Sequence, residues 1–225
     1  MGMRGILTLL ASTFFLLTSA QSIDDRINQA RNLIRKGEHQ QAITALDQLL
    51  KEIPPTDSTT QLGHVYRLMD FALWGIDKKQ DALAKGRIAQ RIFSKNNETR
   101  LVAEMALRMS LNEIVIGNYS EGLRYGQQSY DLFADLKDSS NMIIALTRIS
   151  ISHHDLGNYD IGIQYGKRAI ALTRQFSAST YSHKMEANTV TAINYDDRGD
   201  MDSAIFYHRN TLEFIDKVEN QSRVP

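Results

Sequence analysis

The chain has 225 residues, of which 42% are hydrophobic and 23% charged, and Lys+Arg and Asp+Glu both number 26. That composition argues against intrinsic disorder, and the charge balance removes the basic excess with which proteins neutralise phosphates, so no nucleic-acid partner is expected. With no cysteine there can be no disulfide, thiolate metal site, cysteine nucleophile or acylated lipoprotein cysteine.

The first element is a targeting segment. Arg4 is followed by an almost wholly apolar run from Ile6 to Leu17, and Thr18, Ser19 and Ala20 close it with small residues. This is the charged, apolar and cleavage-site order of a secretory signal peptide. The run falls short of the ~20 residues that span a bilayer, so residues 1–20 are expected to be removed after Ala20. No later stretch reaches membrane length, and the mature chain is expected to be periplasmic or secreted and not membrane-spanning.

Apolar residues then recur at helical spacing, as in Ile143, Leu146, Ile149 and Leu156. The predicted elements are five helical hairpins: Ser22–Arg35 with Glu38–Glu52, Ser58–Ile76 with Lys79–Ser94, Glu98–Ile116 with Tyr119–Leu136, Ser139–Leu156 with Tyr159–Phe176, and Ser179–Asp197 with Met201–Val218. Ser22, Ser58, Asn97, Ser139 and Ser179 are the expected N-caps. Together they make one repeat domain over residues 21–218, leaving 219–225 as a tail or the start of a continuation.

The hairpins repeat. Gly117-Asn118-Tyr119, Gly157-Asn158-Tyr159 and Gly199-Asp200-Met201 align with Lys36-Gly37-Glu38 and, more weakly, with Asp77-Lys78-Lys79. Small residues follow at Ala42, Ala82, Gly122, Gly162 and Ala204, spaced 40, 40, 40 and 42 apart. The glycines fit a left-handed helix end. The small residues predict close crossing of the paired helices, and a second small series, Ala89, Ser129 and Ala169, lies seven residues on along the same face. Tyr125-Gly126 and Tyr165-Gly166 read as packing pairs. Each hairpin leaves an apolar face that only a stacked neighbour can bury.

The Gly-(Asn/Asp)-Tyr-x-x-(Ala/Gly)-(Ile/Leu) strings resemble the inter-helix turn and second helix of tetratricopeptide-repeat (TPR) proteins. The resemblance implies an all-α, right-handed superhelical solenoid of five TPR-like hairpins. The period of about 40 exceeds the usual ~34, and the family's early aromatic and terminal proline find counterparts only in Tyr66 and Pro54. Such elongated arrays resemble the extracytoplasmic sensor regions of bacterial signalling proteins of the diguanylate cyclase or histidine kinase type, in which a membrane-anchored output domain lies downstream.

The resemblance also implies that the first helix of each unit lines a concave groove. Through the turn alignment this gives Asp24, Ile27, Arg31 and Ile34; His64, Arg67, Phe71 and Trp74; Glu104, Leu107, Leu111 and Ile114; and Ile144, Thr147, Ile151 and His154. With Arg35, the candidate binding residues are Arg31, Arg35, His64, Arg67, Phe71, Trp74, Glu104, Leu111, Thr147, Ile151 and His154. Arginine and tryptophan are enriched where interfaces are strongest, and paired arginines suit a carboxylate of a peptide or small acid. Structural roles stay open, with Trp74 as core between units one and two and the arginines merely solvated.

No phosphate loop, nucleophile elbow or HExxH string occurs. His153, His154 and Asp155 are adjacent, so on a helix they splay about 100° apart and do not converge on one metal. Glu104 and Glu113 have no partner in sequence, and Asn97, Asn118 and Asn220 of the Asn-x-Ser/Thr strings read as caps and turns. No enzyme activity, metal or cofactor is therefore expected. The function expected is binding of a protein, peptide or small ligand, either as the periplasmic sensing segment of a signalling protein or as a stand-alone envelope adaptor. Of Ile205, Leu212, Phe214, Ile215 and Val218 on the last helix, some are expected to face inward to the fifth unit and others to face the place where a further unit or a partner would dock.

Overall fold

The computed structural model describes residues 22–54, 59–175 and 181–222, with side chains through residue 215. The expected leader, Ser58 and Ser179 lie outside the described residues. Among these, ten α-helices form five hairpins: α1 (Ile23–Arg35) with α2 (His39–Glu52), α3 (Thr60–Gly75) with α4 (Lys79–Lys95), α5 (Thr99–Val115) with α6 (Tyr119–Asp135), α7 (Ser139–Asp155) with α8 (Tyr159–Gln175), and α9 (Tyr181–Arg198) with α10 (Met201–Ser222). Each helix packs on its successor, and α1 touches α3, α5 touches α7 and α7 touches α9. The odd-numbered helices therefore form the inner, concave layer.

The turns explain the period. Gly37, Gly117, Gly157 and Gly199 all have positive φ, and so do Asp77, Asn97 and Lys137. At each one the next N–H reaches back to close the helix, as in Glu38 N–H to Leu33 C=O at 2.9 Å, Glu98 to Phe93 at 3.0 Å and Asp138 to Phe133 at 2.9 Å. This is the Schellman arrangement. The residue that closes one helix is also the N-cap of the next, so only three residues separate helices of 17. Helices α4 to α8 start at 79, 99, 119, 139 and 159. The links from unit two to three and from unit three to four thus use the same turn as the links within units, and over this stretch the 40-residue repeat is two 20-residue halves.

This geometry corrects two expected caps. Asn97 does not cap α5; it is the left-handed residue (φ 57°), and Glu98 takes the cap. Ser139 is displaced by Asp138, whose carboxylate accepts from the Asn141 N–H at 3.2 Å. Ser22 does cap α1, in a reciprocal capping box with Asp25.

The small residues sit where the helices cross. Ala42, Ala82, Ala89, Ser129, Ala169 and Ala204 are buried. A Cβ at Gly122 would lie 2.6 Å from Ile114 and 3.2 Å from the Ser110 carbonyl, and at Gly166 it would lie 2.2 Å from the Thr191 hydroxyl. The freed space is used for hydrogen bonds. Ser110 donates to the Gly122 carbonyl at 2.7 Å, and Ser150, forty residues on, donates to Gly162 at 2.8 Å.

Neighbouring units are also tied at a separation of 38 residues. Arg108 pairs with Asp70, Arg100 with Asp138 at 2.6 Å, Arg148 with Glu186 at 2.8 Å, and Arg198 with Asp160 at 2.7 Å. Along α10, Ile205, Phe206 and Leu212 are about half exposed or more. Ile43, Leu83 and Ile163, which hold the Ile205 position in units one, two and four, are buried, and Leu123 in unit three is partly so.

Candidate functional site

The concave face carries two grooves of opposite character. The first lies between α1 and α3 and measures about 420 Å³. Arg31 and Arg35 are one turn apart on α1, and His64, Arg67 and Phe71 follow on α3, so helical spacing aims all five at one space. Arg31 donates to Asn28 at 2.7 Å, and Arg67 pairs with Glu104 at 3.1 Å. Arg35 has no ion pair among the described residues. Burial, with Arg67 and Arg31 adding to it, holds the His64 imidazole below its usual range. The groove lining therefore carries three arginines and no carboxylate, with Glu104 paired to Arg67 and Asp24 and Glu98 acting on His64 from outside the lining.

Phe71 forms part of the wall, and the Arg108 guanidinium stacks on its ring at 3.6 Å. Arg108 also meets the fully buried Asp70, which accepts from the Asn112 amide at 3.3 Å. Burial raises the Asp70 carboxyl despite Arg108 beside it. Sequence reading missed this arrangement. Its signal was a carboxylate at position 70, where units three and four place Ser110 and Ser150.

The second groove, about 610 Å³, lies between α7 and α9. Ile151, Met185, Val190 and Ile193 line it, with His154, Asp155 and Glu186 at its edge. His154 Nδ1 lies 2.9 Å from Asp155, and Nε2 lies 2.6 Å from Asp197. Burial opposes protonation there, yet these two carboxylates raise the imidazole above its usual value. His153 instead stacks on Tyr165 at 5.5 Å, and burial lowers it. No group of three or more potential metal ligands occurs among the described residues.

Other candidates fall elsewhere. Thr147 is fully buried, its hydroxyl spent on the Ile144 carbonyl at 2.7 Å, so it does not reach the groove. Trp74 is half-buried against the core of units one and two, with Lys79 at 5.8 Å over its ring, and does not line the first groove. Ile27 and Ile114 are core residues too. Leu111 is exposed between the two grooves. Glu104 and Glu113, unpaired in sequence, are paired in space; Glu113 is fully buried and takes Arg87 at 2.5 Å and the Asn118 amide at 2.9 Å. The α9 wall was missed because the groove assignment stopped at unit four. Continuing the spacing to Ile193, forty-two residues after Ile151, finds it.

No protein-family model matches the chain, and no curated protein matches it. Solved structures do. A Podosopora anserina protein of nearly identical TPR-like repeats, assigned to the kinesin light chains, superposes with a TM-score of 0.74 at 12% identity, covering 88% of this chain and 96% of that one. BtubC from P. vanneervenii gives 0.74 at 13% identity, covering 90% and 82%. Aspartyl phosphate phosphatase F from Bacillus subtilis gives 0.75 at 16% identity over 95% of this chain but 55% of that one. At such identities the likeness is one of fold. Among the described residues, ten helices in five stacked hairpins, superposing on these repeats, make this chain a TPR-like helical solenoid.

Proposed function

We propose that the chain is a non-catalytic binding module that holds an acidic segment of a protein or peptide, or a small acid, in its concave groove. The observation that carries this reading is the convergence of Arg31, Arg35 and Arg67 beside His64 in the α1–α3 groove, whose lining holds no carboxylate, while Glu104 is bound to Arg67 and Asp24 and Glu98 act on His64 from outside the lining. Guanidinium forks match carboxylates in two-point hydrogen bonds. Stacked units supply a rigid surface for such a segment. The test is fluorescence anisotropy with a labelled hexaglutamate peptide against its hexalysine counterpart. Selective binding that weakens with salt and is lost in Arg31→Glu/Arg35→Glu supports the reading. Equal binding of both peptides, or full binding by the double variant, sinks it.

In the cell we propose the periplasmic sensing segment of a signal-transduction protein, with a stand-alone envelope adaptor as the alternative. The support is the leader-like residues 1–20 and the exposed Ile205, Phe206 and Leu212, which a further helical unit would cover. The chain contains no helix, among the described residues, long and apolar enough to cross a membrane. Immunoblotting of fractionated source cells separates the two. A membrane band far above 25.5 kDa supports the sensor, and a soluble periplasmic band slightly below it supports the adaptor.

A further inference from the structure

The concave face changes chemistry along the stack. The same inward position is held in successive units by Arg31, Phe71, Leu111, Ile151 and Ile193, and the position four residues later by Arg35, Gly75, Val115, Asp155 and Asp197. One end of the groove is basic; the other is aliphatic with an acidic edge. The α7–α9 groove, at about 610 Å³, falls within the range of roughly 300–1,000 Å³ that holds small ligands and anchoring side chains.

Its charge can be counted. Glu186 and Arg148 cancel as a pair at 2.8 Å. Asp155 and Asp197 then share one imidazole, that of His154. Two carboxylates facing one ring leave the edge net negative whether the ring is neutral or protonated. Asp197 is half exposed and Asp155 about a quarter exposed, so both can meet an incoming cation. The aliphatic floor is open as well, with Ile193 39% exposed.

We infer that the α7–α9 groove is a second binding site, distinct from the α1–α3 groove, for an apolar group that carries a neighbouring cation, such as a large aliphatic or aromatic side chain flanked by lysine or arginine. The apolar group displaces water from Ile151, Met185 and Ile193, and the cation lies against Asp155 and Asp197. An apolar anion is disfavoured at the same place, because the carboxylates would be left facing like charge. A segment that used both grooves would lie in one orientation only, acidic end over units one and two.

The test uses 4-phenylbutylamine and 4-phenylbutyrate, two probes alike in apolar bulk and opposite in charge. Binding to the full chain is followed by methyl NMR of Met185, Ile151 and Ile193. The expected result is saturable shifts with the amine at several-fold higher affinity than with the acid. Asp155→Asn/Asp197→Asn should weaken the amine about five- to tenfold, two partly exposed charges being removed, and leave the acid unchanged. Ile193→Lys, on the groove surface, should abolish amine binding without lowering the melting temperature. Equal affinity for amine and acid, shifts confined to the exposed α10 face around Phe206, or no saturable shift at all would overturn the inference. Because the α1–α3 groove takes no part, failure of the hexaglutamate experiment leaves this one to be decided on its own result.

Discussion

The left-handed turn residues allow a sharp test of how the repeat is built. Lys137 joins α6 to α7 with φ of 54°, and Gly117 holds the matching place between α5 and α6 with φ of 86°. A Cβ at Gly117 would meet nothing within 4 Å, so any penalty for adding one comes from the backbone alone. For an L-residue that penalty is about 1–2 kcal/mol. Glycine returns about 0.5–1 kcal/mol of it, because its unfolded chain has more freedom to lose. Lys137 is exposed and its side chain makes no hydrogen bond or ion pair among the described residues. Lys137→Gly should therefore stabilise by about 0.5–1 kcal/mol, and Gly117→Ala should destabilise by about the same amount. For a chain of this size each kcal/mol moves the melting temperature by about 2–4 °C. The two variants should thus separate by several degrees in parallel thermal and urea melts followed by circular dichroism. Gly117→Asn should fall between, since asparagine already holds the left-handed place at Asn97. If Lys137→Gly loses stability, or Gly117→Ala is neutral, the turns are not held by backbone closure as described.

Three further outcomes are expected. Arg108→Met strips the buried Asp70 of its cation and should cost about 3 kcal/mol near neutral pH. Burial already raises the Asp70 carboxyl, so the penalty is absent below its unfolded value and grows as pH rises through the folded one. Urea melts should show a smaller loss at acid pH than at neutral pH, and an equal loss at both would refute an ionised Asp70. His154 is raised by Asp155 and Asp197 against the effect of burial. Its contribution to stability is full below the unfolded value near 6.5 and is lost as pH rises through the higher folded value. His154→Gln should therefore cost more at pH 6 than at pH 8, and the reverse order would contradict the clamp. In an NMR titration His64 should ionise below the usual histidine range, held down by burial and by Arg67 and Arg31. Hexaglutamate should move it upward, and binding that left it unmoved would place the anion elsewhere.

Much of the fold was legible because packing repeats. Gly117, Gly157 and Gly199 marked helix ends, and Ala82, Gly122 and Gly162 marked crossings, since those places tolerate few side chains whatever the surroundings. Less was legible where one residue does two jobs. Glu98 and Asp138 close one helix and begin the next, so a search for conventional serine or asparagine caps put Asn97 and Ser139 in the wrong role. Long-range pairs were the least visible. Arg87–Glu113 and Arg108–Asp70 join residues 26 and 38 apart, and only a known stacking register brings such residues into the same frame.

That register also explains why the candidate site was half seen. A residue at a crossing answers to its neighbours in the stack, so the alignment that finds one finds all. A concave position answers to nothing in the stack, and its identity is free to differ from unit to unit. Arg31, Phe71, Leu111, Ile151 and Ile193 share one geometric place but run from basic through aromatic to aliphatic. Departure from the repeat is therefore more informative than agreement with it on this face. The arginines of units one and two stand out by residue type alone and were found from sequence. Met185 and Ile193 resemble ordinary core residues by type, and only their exposure on the inner face, beside Asp155 and Asp197, distinguishes them. The same reasoning applies to α10. Ile205 holds a place that Ile43, Leu83 and Ile163 fill in buried form, so its exposure belongs to the stacking face of the last hairpin and not to a chemistry of its own, whereas Ile193 is exposed on the concave face.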